Sequence, residues 1–464
     1  MKLFETDQIS ELADQAAALA HKIQDKSAKV GVVGLGYVGM PIALEFAKKG
    51  FEVRGIDVSE SKIDKLNRGE NFIEDLDDQE VADVTAAGKL TGYTSYEPLK
   101  DVQVIFVAVP TPFNENKDPD ITYIIQASEG IAEYLSPETI IILKSTTFPG
   151  TTEEYVLPIL ETSGLALGDD FFLAFSPERV DPGNKVWHTG NTPIVVGGTE
   201  PSSSTLGALA NHQIIEKVYL VNNPKVAEME KLLENIFRSV NIALVNELAM
   251  LCERMGGINV WEVIEAASTK PFGYLKFTPG PGVGGHCIPI DPYYLSWLAR
   301  AVDFETRFIT LAANVNEGMP YHVADLVVKE VANQPITLAQ ARVLILGASF
   351  KKNVKDLRHS PSEAIIHRLI ESGIGHIDYS DPWAPEYQAA GKTYYSVDLT
   401  PENVASYHAV VMVTDHDDFD VPFIVQHARR VIDTRNMTRD LTEGKEKVTL
   451  IGYAPNRPKL VMEH

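Results

Sequence analysis

Cysteine is nearly absent: Cys252 and Cys287 are the only two in 464 residues. Two cysteines do not make a disulfide framework, and no C-x-x-C pair exists to bind zinc or to cycle between thiol and disulfide. No metal site is expected. Positive charge is also scarce, with 41 Lys+Arg against 64 Asp+Glu and a formal net charge of -23. A nucleic-acid backbone needs a basic face, so no DNA or RNA partner is expected. A small anion remains possible, because a local pocket can be positive on an acidic protein. Long apolar runs are missing too. The uncharged stretch Val30–Leu44 has 15 residues and is broken by four glycines and a proline, too short and too punctuated to span a bilayer. The start, MKLFETDQISELADQAAALAHKIQDKSAK, mixes charges throughout and has no apolar segment of a secretory signal. No membrane partner and a cytoplasmic location follow as expectations. What is present is ordinary: 44% hydrophobic and 23% charged residues, the balance of a globular protein.

The pattern predicts an α/β protein: two Rossmann-like open parallel-sheet domains joined by a central all-α domain with one long helix. Residues 1–28 read as a polar, Ala-rich helical extension. A first α/β domain over 29–215 rests on buried strands in KVGVVGLG, FEVRGID, VQVIFVAVP, TIIILKST and IVVGG, alternating with helical segments. Residues 216–333 read as helical. Their long helix over 222–256 has Asn223 as cap, Pro224 at the first position and Gly256-Gly257 as stop. Its apolar residues recur at Met229, Leu232, Leu233, Ile236, Phe237 and Val240, a helical period. Further helices are expected over 258–268 and 293–333. After the break at Gln334-Pro335, the third domain (334–464) returns to strands in ARVLILG, HIDYSDP, AVVMVTD and RRVIDT. A ligand is expected outside the carboxyl ends of both sheets.

Four groups of residues can carry chemistry. Gly34-Leu35-Gly36-Tyr37-Val38-Gly39 follows a predicted strand and opens a predicted helix, and Asp57 closes the next strand 18 residues past Gly39. That is the context a dinucleotide fingerprint requires. Gly34 permits the turn, Gly36 admits the pyrophosphate to the backbone, and Gly39 lets helix and strand pack. Asp57 suits the ribose hydroxyls and favours NAD over NADP, a preference Arg54 nearby weakens. The second group is the glycine-rich stretch from Pro279 to Asp291, which contains Cys287, a candidate nucleophile. Asp291 can orient the thiol or a water. His286 reads equally as loop packing or a substrate contact, and Cys252 as a core residue of the long helix. The third group is Lys231 and Asn235, one turn apart and able to donate to an oxyanion; Glu228 and Glu234 are expected to be surface charges. The fourth is the loops Val109–Pro112, Lys144–Thr147 and Ser176–Arg179, each following a buried strand.

Together these segments resemble the nucleotide-sugar 6-dehydrogenases of the UDP-glucose/GDP-mannose dehydrogenase family. GVVGLGYVGMPIA, VPTP, KSTTFPGTTEE, SPER, AEMEKLLEN, NELAMLCE, PGPGVGGHC and GASFKKNVKDLRHSP fall in family order over residues 29–455. VPTPFNENKDPDITY, SPERVDPGN and KPFGYLKFTPGPGVGGHCIPIDPYYLSW resemble the UDP-N-acetylglucosamine 6-dehydrogenase branch. The resemblance implies that Cys287 attacks an aldehyde, Lys231 and Asn235 stabilise the oxyanion, and Asp291 handles water and protons. It implies that Glu178 serves thioester hydrolysis with Thr146 near the water. It places Gly34, Gly36, Tyr37, Val38, Gly39, Asp57, Lys62, Pro110, Thr111, Ser145, Thr146 and Arg358 at NAD. It places Glu178, Arg179, Lys231, Asn235, Lys276, Phe277, Gly280, Gly284 and Lys351 at a UDP-sugar. Ile290 and Pro182 stand where UDP-glucose dehydrogenases carry a lysine and a second glutamate, and Tyr274 and Lys276 occupy a stretch that holds an arginine there. These departures fit a 2-acetamido sugar.

The implied activity is a four-electron oxidation of the sugar 6-hydroxymethyl to a uronate, by a homodimer or higher homo-oligomer. Alternatives are a UDP-N-acetylmannosamine or UDP-glucose 6-dehydrogenase, a two-electron β-hydroxyacid-type dehydrogenase, and a catalytically silent nucleotide-sugar binding protein. A cysteine hydrolase would leave the dinucleotide fingerprint idle. Supply of surface polysaccharide precursors is the implied pathway.

Overall fold

The computed structural model describes every residue except 13, 74–75, 115–116, 181–183, 185, 286 and 456–464. The chain divides into two units, Met1–Glu234 with Tyr293–Asp303, and Asn235–Pro292 with Phe304–His464.

In the first unit, nine strands make one sheet. They are β1 (Lys2–Leu3), β2 (Val30–Val33), β3 (Val53–Ile56), β4 (Leu90–Tyr93), β5 (Val104–Val107), β6 (Thr139–Leu143), β7 (Phe171–Phe175), β8 (Ile194–Gly198) and β9 (Val218–Leu220). Their order is β1-β9-β8-β7-β6-β5-β2-β3-β4. All pairs are parallel except β7 with β8 and β1 with β9. Every residue of β2, β5, β6 and β7 is buried, as an apolar run without alternation requires of a sheet covered on both faces. Successive side chains enter different cores: Val32 and Phe106 lie with Phe46 and Leu19, while Val33 and Ile105 lie with Ile131 and Phe171. The strand order reverses between β2 and β5, where an open sheet offers its ligand crevice.

The opening residues differ from the polar helix expected. β1 pairs with β9, the Phe4 amide donates to the Val218 carbonyl, and helix Asp14–Gln24 buries Leu19, Ala20 and Ile23. An otherwise bare sheet edge is thereby covered.

The long helix runs Pro224–Met255, with Asn223 Oδ1 accepting from the Val226 amide at its start. Gly256 and Gly257 take positive φ after its last turn. Helix Val260–Ser268 follows. The helical stretch expected over 293–333 begins earlier and is interrupted: helices Cys287–Arg300 and Arg307–Ala332 are parted by a turn in which Asp303 has φ 53. The second sheet holds β10 (Arg342–Leu346), β11 (His376–Ser380), β14 (Ala409–Met412), β15 (Val431–Asp433) and β16 (Val448–Leu450), with a hairpin of β12 (Glu386–Ala389) and β13 (Lys392–Tyr395) formed separately. Its order is β11-β10-β14-β15-β16, all parallel, with the reversal between β10 and β14. Among the described residues no helix is long and apolar enough to cross a membrane.

Two glycines hold the first crevice in shape. Gly34 has φ +91, and a Cβ there would lie 2.5 Å from the Ala108 carbonyl oxygen. A Cβ on Gly39 would lie 1.9 Å from the Gly34 oxygen. A Cβ on Gly36 would meet nothing within 4 Å. Gly39→Ala should therefore destabilise the fold by about 1–3 kcal/mol, the usual range for overpacking, while Gly36→Ala should leave stability nearly unchanged. Urea titration of both variants checks the contrast.

Candidate active site

The dinucleotide crevice lies wholly in the first unit. The helix Gly39–Lys48 has no side-chain cap; the Met40 and Ile42 amides donate to the Gly36 and Val38 carbonyls and Pro41 has none, so what the helix start offers an anion is the positive end of its dipole. Gly36 leaves open space there. Asp57 follows β3. Its Oδ2 accepts from the Leu35 amide and its Oδ1 from the Ser59 amide, both at 2.9 Å. A carboxylate has about four acceptor sites, so capacity remains for ribose hydroxyls. Lys62 Nζ sits 3.3 Å from Asp57 Oδ2. Arg54, which could have welcomed a 2′-phosphate, is engaged by Asp101, Glu52 and the Pro98 carbonyl. An acidic ribose site with its neighbouring arginine already paired fits NAD. Tyr37 is exposed and Val38 half-buried at the helix start. Across the crevice, Ser145 Oγ donates to the Val109 carbonyl at 2.8 Å, and the buried Tyr294 hydroxyl donates to the Thr111 carbonyl. The Pro110–Thr111 turn is thus held from two sides.

Beyond Ser145 the loop after β6 meets the loop after β7. Glu178 Oε1 accepts from the amides of Arg179 and Val180, both at 2.9 Å. Its Oε2 lies 3.8 Å from Nζ of Lys144, whose side chain is 1% exposed. Lys231 is also buried. Burial pushes the Lys144 ammonium below the usual lysine range; Glu178 opposes this and Lys231 adds to it. Thr146 is half-buried in the same loop.

Glu228 and Glu234 are not surface charges. Glu228 is fully buried, accepting from the amides of Gly150 and Thr152 at 2.6 and 2.9 Å and from the Thr152 hydroxyl at 2.6 Å. It anchors the far end of the Thr146 loop to the long helix, and burial pushes its carboxyl up. Glu234 takes the Arg179 guanidinium, which also reaches Glu230 at 3.0 Å. A helical period places these glutamates on the helix but not on which side, and the loops that need their oxygens come from distant strands. Arg179, expected at substrate, is committed to this cluster and to the Pro193 carbonyl.

The second unit holds the rest. Asn235 Nδ2 donates to Asp291 Oδ2 at 2.5 Å, and both residues are buried. Asp291 stands one turn after Cys287 in helix Cys287–Arg300. His286 and the Cys287 side chain lie outside the described residues. The glycine-rich loop packs on the second sheet's loops: a Cβ on Gly284 would lie 2.5 Å from Phe350 Cβ, and the Gly285 amide donates to the Arg358 carbonyl. The Gly280 amide donates to Asn246 Oδ1 at 3.0 Å, and Asn246 donates to Asn316. Arg435 lies under Gly280, whose Cβ would fall 2.7 Å from its Nη1. Asn246, Asn316 and Arg435 carry no local sequence signal, since each acts across a large separation. Lys351 follows β10 in the loop Gly347–Asn353. Phe277 packs on Phe237, whereas Lys276 pairs with Glu265 on the surface at 2.5 Å. Arg358, expected near the cofactor, pairs with Asp356. At the reversal between β10 and β14, buried Asp381 accepts from the Ala348 and Ser349 amides and from His416. Burial opposes its charge, yet His416 and the loop amides outweigh this and hold Asp381 below the usual carboxylate range.

Residues 28–221 match the NAD binding domain of the UDP-glucose/GDP-mannose dehydrogenase family, 225–318 its central domain and 344–440 its UDP binding domain. A UDP-N-acetyl-D-glucosamine 6-dehydrogenase of Pseudomonas aeruginosa is 37% identical over 85% of this chain and 92% of its own length. A UDP-N-acetyl-D-mannosamine dehydrogenase of Pyrococcus horikoshii is 35% identical over 84% of this chain and 90% of its own. A solved UDP-D-ManNAc dehydrogenase structure from Pyrococcus horikoshii superposes with a TM-score of 0.83 at 32% identity, covering 91% of this chain and 99% of that one.

The Arg179–Glu230–Glu234 cluster yields a pH prediction. Glu230 is pushed up to about 7, first by burial and then by Glu234, against the pull of Arg179. Its raised folded pKa stabilises the fold at low pH, and that contribution is lost as pH rises from the ordinary glutamate value through about 7. Glu230→Gln should therefore raise the melting temperature more at about pH 8 than at about pH 5, as thermal scans across that range will read.

Proposed function

The chain belongs to the UDP-glucose/GDP-mannose dehydrogenase family, and from that premise we propose that it oxidises the sugar 6-hydroxymethyl of a UDP-N-acetylhexosamine, UDP-N-acetylglucosamine, to the uronate. The observation that carries the reading is the buried Asn235–Asp291 hydrogen bond one turn from Cys287. It fixes an amide donor and a carboxylate on the helices that also bear Lys231 and Cys287.

NAD, which the residues of the first crevice would hold, would supply the acceptor for each of the two hydrides lost from the sugar carbon. The chain's residues supply the remainder. The first oxidation leaves an aldehyde, which has no second hydride to give until a nucleophile adds. Cys287 adds its sulfur to that carbon, giving a thiohemiacetal; loss of a second hydride leaves a thioester. Negative charge collects on the carbonyl oxygen at each addition, and Lys231 and Asn235 donate to it. Asp291 fixes the Asn235 amide and takes part in proton transfer. Glu178 draws a proton from the water that cleaves the thioester, with Thr146 beside it. Lys351, Gly280, Gly284 and Phe277 hold the UDP-sugar. Tyr37, Val38, Lys62, Pro110, Thr111 and Ser145 line the NAD crevice.

The KPFGYLKFTPGPGVGGHC stretch and the Pseudomonas aeruginosa relative favour N-acetylglucosamine. The Pyrococcus horikoshii relative and its structure favour the N-acetylmannosamine epimer as the second reading. A homodimer is supported by Leu244, Leu248, Leu251 and Met255, large apolar residues left exposed along the long helix. A cytoplasmic location suits an enzyme that draws on NAD and nucleotide sugars.

Two NADH should form per UDP-N-acetylglucosamine, with kcat/KM higher than for the mannosamine, galactosamine and glucose analogues. Cys287→Ser should lose uronate formation by about three orders of magnitude or more, as expected for a covalent nucleophile. One NADH per sugar would instead identify a two-electron dehydrogenase. Faster turnover of the mannosamine epimer would select the second reading.

A further inference from the structure

Among the described residues only two lysines are buried, Lys144 and Lys231, and the roles above leave Lys144 unused. It stands directly after β6, beside the loop that follows the adjacent strand β7. Its ammonium has three protons to place, yet its recorded partners are distant: Ser176 Oγ at 3.5 Å and Glu178 Oε2 at 3.8 Å. An ammonium taken out of water without close acceptors is costly, and an apolar side chain of the same length would fill the space more cheaply. Its benefit must therefore lie in the group it faces. Glu178 Oε1 is already occupied by two backbone amides, so Oε2 is the oxygen left for chemistry, and this is the oxygen nearest Lys144. The neighbouring cation Arg179 is drawn away by Glu230 and Glu234. Lys231 approaches from the long helix and repels Lys144.

We propose that Lys144 is the positioning residue that directs the free oxygen of Glu178 at the water that cleaves the thioester. This rests on the reading of Glu178 given under the proposed function. In that step the water oxygen bonds to the thioester carbonyl carbon while a water proton passes to Glu178 Oε2. The adduct then collapses, the carbon–sulfur bond breaks, and Cys287 leaves as thiolate. The thiolate recovers a proton, Glu178 releases its own, and the sugar leaves as carboxylate. No electrons move, and Lys144 neither gains nor loses a bond. A carboxylate that loses a cation facing it binds its proton more tightly. Without Lys144 the base should be protonated at higher pH.

The test compares wild type, Lys144→Met, Lys144→Arg, Glu178→Gln and the double variant K144M/E178Q. In Lys144→Met, kcat should fall about tenfold or more while KM for the UDP-sugar stays within about twofold, the pattern of a lost chemical step. The acid limb of its kcat profile should move to higher pH, and intact-protein mass spectrometry should find a uronyl adduct on Cys287. Lys144→Arg, which keeps the charge, should return the acid limb towards wild type. The double variant should be no slower than Glu178→Gln alone. Lys144→Gln, uncharged but still a donor, stands in should Lys144→Met not fold. An unmoved acid limb with no adduct in the uncharged variants overturns the proposal, as do losses that multiply in the double variant. Glu178→Gln forming the adduct while Lys144→Met does not removes Lys144 alone. No adduct in Glu178→Gln removes the role of Glu178, and the proposal with it.

Discussion

The loops at the carboxyl ends of both sheets must satisfy their backbone amides while leaving room for ligands, and buried or half-buried carboxylates meet that constraint. Asp57 takes the amides of Leu35 and Ser59. Glu178 takes those of Arg179 and Val180. Glu228 takes Gly150 and Thr152, and Asp381 takes Ala348, Ser349, Trp383 and Ala384. Asp433, fully buried, takes Arg435 and Thr438. An amide buried without a partner costs about 1–3 kcal/mol, so each carboxylate fixes a loop that would otherwise seek water.

Buried negative charge has to be answered in its turn. The bonds to backbone amides do part of this, since each favours the ionised form. Side chains do the remainder at particular places: Lys62 at Asp57, the His416 ring at Asp381 and Lys144 at Glu178. Where the compensation is incomplete, the carboxyl keeps its proton more readily, as burial causes at Glu228 and Glu230. Loop rigidity and local acidity thus arise from one arrangement. The loops fixed this way carry the glycines, threonines and lysines that the chemistry needs.

The parallel strands were legible where their runs were uniformly apolar. VVGG at the end of β8 and TIIIL in β6 are buried at every position, and the sequence reading placed both. The dinucleotide turn was legible for a different reason, because Gly34 and Gly39 meet constraints from atoms a few residues away or one strand over. Strands β4 and β9 were missed: LTGY buries only alternate residues and VYL only its first, so neither shows a continuous run. The strand β7, FFLAF, is wholly buried, in keeping with Ser176–Arg179 as a loop that follows a buried strand. The break at Asp303 was missed because apolar residues continue on both sides of it.

The sequence by itself determined the alternation of strands and helices, the dinucleotide turn, the caps of the long helix and the ordered motifs of the family. These depend on neighbours within about two turns of helix or one strand–turn–helix, so a local pattern suffices. Tertiary structure alone decided that Glu228 anchors a loop, that Arg179 is spent on glutamates, that Asn246 carries Gly280 and that Lys144 confronts Glu178. Each of these joins residues far apart in the chain, and for a charged side chain the partner it meets settles whether it is solvated, paired or buried.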